Sequence, residues 1–284
     1  MSAHNDFLAR YDAMSVRAAH QVILHYSTSF SLASRLLSRR VRTDIHNLYA
    51  MVRIADEIVD GAAARDAAPS LLDDYQAQVL AAPAVRFHTD PVLHAYAITA
   101  RRCQFPDEHI KAFFSSMRRD LHQTTYTEGE LDEYVYGSAE VIGLLCLAVF
   151  LVDEPVTATQ RAEMEAGACS LGAAFQKINF LRDLQEDSGV LGRAYYPQDF
   201  TDDDKHACVA EIRRDLAAAR TVMGLLPASA RAGVLAATDL FSRLTDQIED
   251  TPAEELTTRR ISVPQHIKVA IAAKALATSQ RMKK

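Results

Sequence analysis

The chain has 284 residues, 49% of them hydrophobic, with no low-complexity stretch and a formal net charge of −6. That length can bury a sizeable core, and the acidic balance argues against a general nucleic-acid binder. Only 10 glycines and 9 prolines punctuate it, and Cys103, Cys146, Cys169 and Cys208 stand far apart, without metal-ligand or redox spacing, as suits a reducing cytoplasm.

Apolar residues recurring at i, i+3, i+4 and i+7 make the chain read as nearly all helix. About ten helical segments are expected from that period, and no alternating runs are joined by a hairpin turn. The fold class expected is therefore all-α. No repeat or linker divides residues 1–284, which read as a single domain. The N-terminal MSAHNDFLARYDAM has no apolar signal core. RLLSRRVR, residues 35–42, is locally basic and reads as a solvated face.

The first segment with chemistry in it is RIADEIVDGA, residues 53–62. Helical steps place Tyr49, Arg53, Asp56 and Asp60 on one face, with Ala50, Ile54, Ile58 and Val59 on the others. Such a stripe faces either bulk water or a polar cavity, and paired acids four apart cost only about a few tenths of a kcal/mol on a solvated helix. DQIED repeats the spacing with Asp246 and Asp250 beside Pro252, where a helix ends and meets water. Spacing alone therefore does not identify a site.

Further along, QFPDEH marks a helix boundary before ELDEYVYGSAEVIGLLCLAVF, a long helical pattern. Its apolar run, residues 141–152, stops at Asp153, short of the roughly 20 residues that span a bilayer. DEPVTATQ opens the next helix. Within it FQKINFLRDLQED, residues 175–187, carries a second stripe, in which Gln176, Asn179, Asp183 and Asp187 share one face with Lys177 and Arg182 on its shoulders. The alternative is a solvated helix with a tidy pattern. Inside a bundle, however, that line of amide and carboxylate oxygens would need ions, substrate or one another, because burying such groups without partners costs about several kcal/mol. TPAEEL opens another helix near the end, and the tail KVAIAAKALATSQRMKK is basic, again read as a solvated face.

Two stripes on separate helices can face each other and offer four carboxylates and Asn179 to a common space. Oxygen ligands of this kind suit Mg²⁺, which is usually held by one or two carboxylates together with substrate phosphates. Arg53 and Arg182 would supply donors that match phosphate oxygens. No glycine-rich phosphate loop is present, which removes the P-loop and Rossmann readings.

At this point the chain resembles the squalene/phytoene synthases, the head-to-head prenyl synthases of the all-helical isoprenoid synthase fold, a helical bundle around a central cavity. The likeness runs from about Ser27 to Lys268 and rests on STSFSLASRLL, LYAMVRIADEIVDG, YVYGSAEVIG, QKINFLRDLQEDSGVLGRAYYP and RRISVP, in the family's order. SAEVIGLLCLAVF is most similar to the bacterial phytoene synthases. The resemblance implies that Asp56, Asp60, Asn179, Asp183 and Asp187 hold Mg²⁺, with Mn²⁺ as a substitute, against prenyl diphosphates. It also implies diphosphate contacts from Ser27, Ser29, Tyr49, Arg53, Gln176 and Arg182. By the same resemblance Tyr134 is expected near the reacting carbons, with Arg193, Tyr195 and Arg260 closing the polar end.

Two departures stand out. Tyr26 replaces a His of some relatives, and Phe241 falls about where others carry a Tyr. The reaction implied is condensation of two geranylgeranyl diphosphates, through a cyclopropylcarbinyl diphosphate, to phytoene, without NADPH. Runners-up are dehydrosqualene or squalene synthesis from C15 substrate, and release of presqualene diphosphate. A non-catalytic scaffold is the reading from another class. Small residues such as Gly143, Ala168 and Gly172 are expected to leave room for a C20 chain in a long tunnel. Contact with a membrane surface at product release is expected, no nucleic-acid partner is, and the sequence sets no oligomeric state.

Overall fold

The computed structural model describes residues 3–186, 195–196 and 199–282. Among them are fourteen α-helices and no strand, in keeping with the all-α expectation. In chain order these are α1 (Ala3–Tyr26), α2 (Thr28–Ser34), α3 (Arg39–Asp60), α4 (Ala68–Ala81), α5 (Pro91–Cys103), α6 (Asp107–Asp120), α7 (Glu128–Val135) and α8 (Val141–Leu151). They are followed by α9 (Ala158–Arg182), α10 (Leu184–Glu186), α11 (Asp202–Thr221), α12 (Ala228–Glu249), α13 (Ala253–Leu256) and α14 (Gln265–Arg281). The excess over the periodicity count comes from short pieces, α2, α10 and α13, and from a π-helical turn, Tyr136–Glu140, that separates α7 from α8.

Several helix starts are set by side chains that satisfy the first free N–H groups. Asp90 accepts from the Val92 and Leu93 amides, with Pro91 at the first helical position. Thr127, Thr157 and Thr201 each form a reciprocal cap with the residue three positions on, Glu130, Gln160 and Asp204.

α8 is apolar on every side and is correspondingly shielded all round, as a helix at the centre of a bundle must be. Its Val141 and Leu145 join Met51, Phe113 and Phe114 in one core cluster, while Leu147, Val149 and Phe150 join Val41, Met164 and Leu235 in a second. A third cluster packs α9 against α11 and α12 through Ile178, Leu181, Ile212 and Leu244. Taken together, Glu128–Leu151 is long and apolar enough to cross a membrane by length and composition, but half of its apolar window is buried within the fold. We read it as a core helix.

The expectation that Gly143, Ala168 and Gly172 leave space in a tunnel is corrected. A methyl group on Gly143 would strike the Ala168 carbonyl, and one on Gly172 would strike the backbone of Ala139 and Glu140. The small residues instead let α8 and the π turn approach α9 backbone to backbone. This places the helix that carries the second acidic stripe.

Candidate active site

The last two turns of α3 carry Arg53, Asp56, Glu57 and Asp60. Arg53 Nη2 donates to Glu57 Oε1 one turn on, and Nη1 lies 3.7 Å from Asp56 Oδ2. Behind it the Tyr26 ring, at the end of α1, sits 4.3 Å from the guanidinium carbon. Burial works against the charge on Arg53, but Asp56 and Glu57 outweigh it and hold its pKa above the usual value. Tyr49, one turn earlier than Arg53, is pushed up to about 12 by burial, with Arg53 pulling the other way, so it is a neutral hydrogen-bond donor at working pH.

Asp183 occupies the C-cap of α9, its backbone N–H donating to Asn179 O. Two arginines hold its carboxylate: Arg182 through Nε at 2.9 Å and through Nη2, and Arg260 through Nε at 2.8 Å. One turn back, Asn179 Oδ1 is buried with no hydrogen-bond partner among the described residues. A buried amide oxygen of this kind costs about 1–3 kcal/mol if nothing occupies it. Together with carboxylates it forms a hard oxygen donor set, the chemistry that suits Mg²⁺. Among the described residues no group of three His, Cys, Asp or Glu side chains is close enough to hold a metal by itself. Asp187 and Arg193, both expected here, lie outside the described residues.

α2 links the two motifs. Ser27 caps it by accepting from the Phe30 amide at 3.1 Å, and its hydroxyl is in hydrogen-bonding reach of Tyr49 on α3. The neighbouring Thr28 Oγ1 accepts from Lys268 Nζ of α14 at 2.7 Å. Lys268 is buried, and burial, followed by the nearby Arg182 charge, lowers its pKa. No carboxylate pairs with it among the described residues. The tail was expected to be a solvated face, so Lys268 is a correction: it is a buried cation within electrostatic reach of Arg182, and it bonds Thr28 across 240 residues of sequence, which spacing cannot reveal.

Aromatic rings flank the α9 stripe. On one side Phe175 stacks on Phe241 at 3.9 Å between centroids, with Phe30 5.4 Å from Phe241 and 6.5 Å from Tyr49. Phe241 is therefore a packing residue with no hydroxyl to offer. On the other side Phe180 stacks on Tyr195 at 4.0 Å, and the buried Tyr134 hydroxyl donates to Asp120 Oδ2 at 2.9 Å and lies 3.4 Å from the Tyr195 hydroxyl. Burial first, then Asp120 and Tyr195, keep Tyr134 protonated. Ser29 and Gln176 are partly buried on α2 and α9. Asp246, the expected decoy, pairs with Arg213 at 3.2 Å on the surface. Two surface depressions, of about 520 Å³ beside Arg118 and Arg119 and about 250 Å³ beside Arg102 and Arg161, are lined by none of these site residues.

Comparison with known proteins identifies the family and the fold. Residues 23–266 match the family described as squalene/phytoene synthase. A phytoene synthase of Mycobacterium tuberculosis is 31% identical over 275 residues, covering 88% of this chain and 87% of that one. A 15-cis-phytoene synthase of a Paracoccus species is 32% identical over 195 residues, 66% of this chain and 61% of that relative's length. Among solved structures, a dehydrosqualene synthase in complex with ligand superposes with a TM-score of 0.77 over 96% of this chain and 99% of that one, at 19% identity. A squalene synthase of Alicyclobacillus acidocaldarius gives 0.71 over 87% and 95%, at 20% identity. Those two likenesses show the fold. With the family match over residues 23–266 and a relative 31% identical over most of both chains, the chain belongs to the squalene/phytoene synthase family, prenyltransferase-type enzymes that act on prenyl diphosphates.

Proposed function

We propose that this protein condenses two geranylgeranyl diphosphates head to head, through a cyclopropylcarbinyl diphosphate, to phytoene. The observation that carries the reading is the second motif. The unpartnered Asn179 oxygen, Asp183 between two arginines, and the buried Lys268 put anion-binding and cation-binding groups side by side, as a metal diphosphate requires. Asp56, Asp60, Asn179, Asp183 and Asp187 would hold Mg²⁺, or Mn²⁺ in its place. Bound there, the metal supplies Lewis-acid stabilisation to departing diphosphate.

The chain's own residues do the rest. Arg53, Arg182, Arg260 and Lys268 bind diphosphate oxygens, and the arginines do so with planar, two-pronged geometry. Tyr49 donates a hydrogen bond as a neutral phenol. Loss of diphosphate leaves an allylic cation, which the second prenyl double bond attacks. Loss of a proton closes the cyclopropane ring, and the resulting cyclopropylcarbinyl diphosphate releases its own diphosphate, rearranges and loses a second proton. The rings of Phe30, Phe175 and Phe241, and those of Tyr134, Phe180 and Tyr195, exclude water and offer π faces to positive charge. No step needs NADPH. The setting is cytoplasmic, and the hydrocarbon product calls for contact with a membrane surface at its release.

Incubating the protein with Mg²⁺ and either geranylgeranyl or farnesyl diphosphate, without NADPH, tests this reading by mass spectrometry of the extracted hydrocarbon. The C40 product should form faster than the C30 one. A faster C30 product, or dependence on NADPH, would move the protein to the squalene branch. Failure to release any diphosphate would make it a scaffold.

A further inference from the structure

Arg53 is the most heavily supported cation of the first motif, and two of its supports belong to neither acidic pair. Glu57 takes Nη2, and the Tyr26 ring lies against the guanidinium at 4.3 Å. Asp56 stands farther off, at 3.7 Å from Nη1, and Nε is buried without a partner among the described residues. Gly61 completes the arrangement. It caps α3, and a methyl group there would collide with Oε2 and the carboxyl carbon of Glu57. An alanine at position 61 would therefore require the Glu57 carboxylate to leave the place it holds beside Arg53.

We propose that Glu57, Tyr26 and Gly61 form a cradle for Arg53, with Glu57 as a positioning residue that keeps the guanidinium aimed when Asp56 turns to other partners. The proposal rests on the reading of Arg53 as a diphosphate ligand. An ordinary i, i+4 ion pair on a solvated helix would contribute little and tolerate replacement. Here the Glu57 side chain is only 19% exposed, a ring closes the second face, and a glycine reserves the volume. Tyr26 thus gains a role from its departure from His: a ring face for a cation, where an imidazole would bring a titratable group.

The test is calorimetric titration of inorganic diphosphate, in Mg²⁺ buffer, into the wild-type chain and variants whose melting temperatures are recorded alongside. Arg53→Ala should weaken binding by about thirtyfold or more, and Glu57→Gln by about tenfold, as expected for one misdirected charge-assisted contact. Tyr26→Leu should weaken it by about threefold, and Tyr26→Phe, which keeps the ring, should restore that loss. Gly61→Ala should cost about fivefold in the wild type and nothing further in Glu57→Ala, because the cycle subtracts whatever alanine does to the turn itself.

If Arg53→Ala weakens binding while Glu57→Gln and Gly61→Ala leave it intact, the cradle is wrong and the diphosphate reading stands. If Arg53→Ala binds as the wild type does, the reading of Arg53 fails and takes the cradle with it. Equal loss from Gly61→Ala in both backgrounds would place its effect in the backbone and overturn the proposal. Should Gly61→Ala fail to fold, Glu57→Gln and the two Tyr26 variants decide.

Discussion

The two acidic motifs occupy the same kind of address and are neutralised differently. Each lies at the C-terminal end of a long helix, α3 or α9, where the partial negative charge of the helix end disfavours a carboxylate by about 0.3–1 kcal/mol. Acids in such a place call for cations. At α3 the cation, Arg53, comes from the same helix within one turn of Asp56 and Glu57. At α9 Asp183 has Arg182 beside it but also draws Arg260 from the segment before α14, and Lys268 stands close to Arg182. Among the described contacts, Arg53 of the first motif is held by Asp56 and Glu57 of its own helix and by the Tyr26 ring of α1, whereas Asp183 of the second draws Arg260 from a distant part of the chain. Disturbance elsewhere in the fold should therefore reach the second motif more readily.

The sharpest way to break this comparison is to remove one acid from each side. Asp56→Asn and Asp183→Asn should each lower turnover by about 10²–10³, the scale for losing one charge-stabilising group, with helical circular dichroism unchanged. Asp246→Asn, at the surface pair with Arg213, should stay within about twofold. Equal damage from all three would mean that the site is misplaced.

Acid stability separates failure of the fold from failure of the motifs. His46 is stacked on His20 and bonded to Ser34 Oγ at 2.9 Å, and burial, aided by His20 and Arg42, lowers its pKa from 6.5 to about 4. The unfolded chain therefore takes up this proton first. The contribution is intact above pH 6.5 and lost as pH falls through about 4, up to about 3 kcal/mol in all. Denaturant titration across that window should show the loss, and His46→Gln should flatten it.

The placing of α9 can be sharpened with two glycines. Gly172→Ala meets backbone atoms at 2.5–2.9 Å and should cost about 1–3 kcal/mol. Gly129→Ala meets nothing within 4 Å in a helix and should be neutral or stabilise by up to about 1 kcal/mol. Thermal melts compare them. Activity should fall with Gly172→Ala more than stability alone explains if the second motif depends on helix placement.

The smallest effects concern the arginines. Arg182→Lys should reduce kcat/KM by about tenfold, because Arg182 uses two nitrogens on Asp183, whereas Arg260, which uses one, should lose only about threefold as Lys. The reverse order would show that the distant arginine carries the motif.

Much of this was legible in the sequence where the physics is local. Period gave the helices, the DEPVTATQ signal became the Thr157 cap, and the Arg53 to Asp60 stripe needed only one helix to be read. Long-range pairing was not legible. Nothing in spacing joins Lys268 to Thr28 or Arg260 to Asp183, because composition shows that a residue is charged but not that its helix buries it. Small residues misled for a related reason: Gly143 and Gly172 mark a close approach, and sequence does not say whether the neighbour is a backbone or a cavity. Glu57 had a visible signal, four residues after Arg53, that carried no weight until Tyr26 and Gly61 were seen around it.

Equilibrium dialysis of radiolabelled inorganic diphosphate tests the central claim, that both motifs act together on a metal diphosphate, most directly. The wild-type chain should retain diphosphate in Mg²⁺ and lose it when the cation is chelated. Asp56→Asn and Asp183→Asn should each weaken retention, and the double variant should hold none above background. Equal retention with and without divalent cation, or full retention by the double variant, would contradict the account.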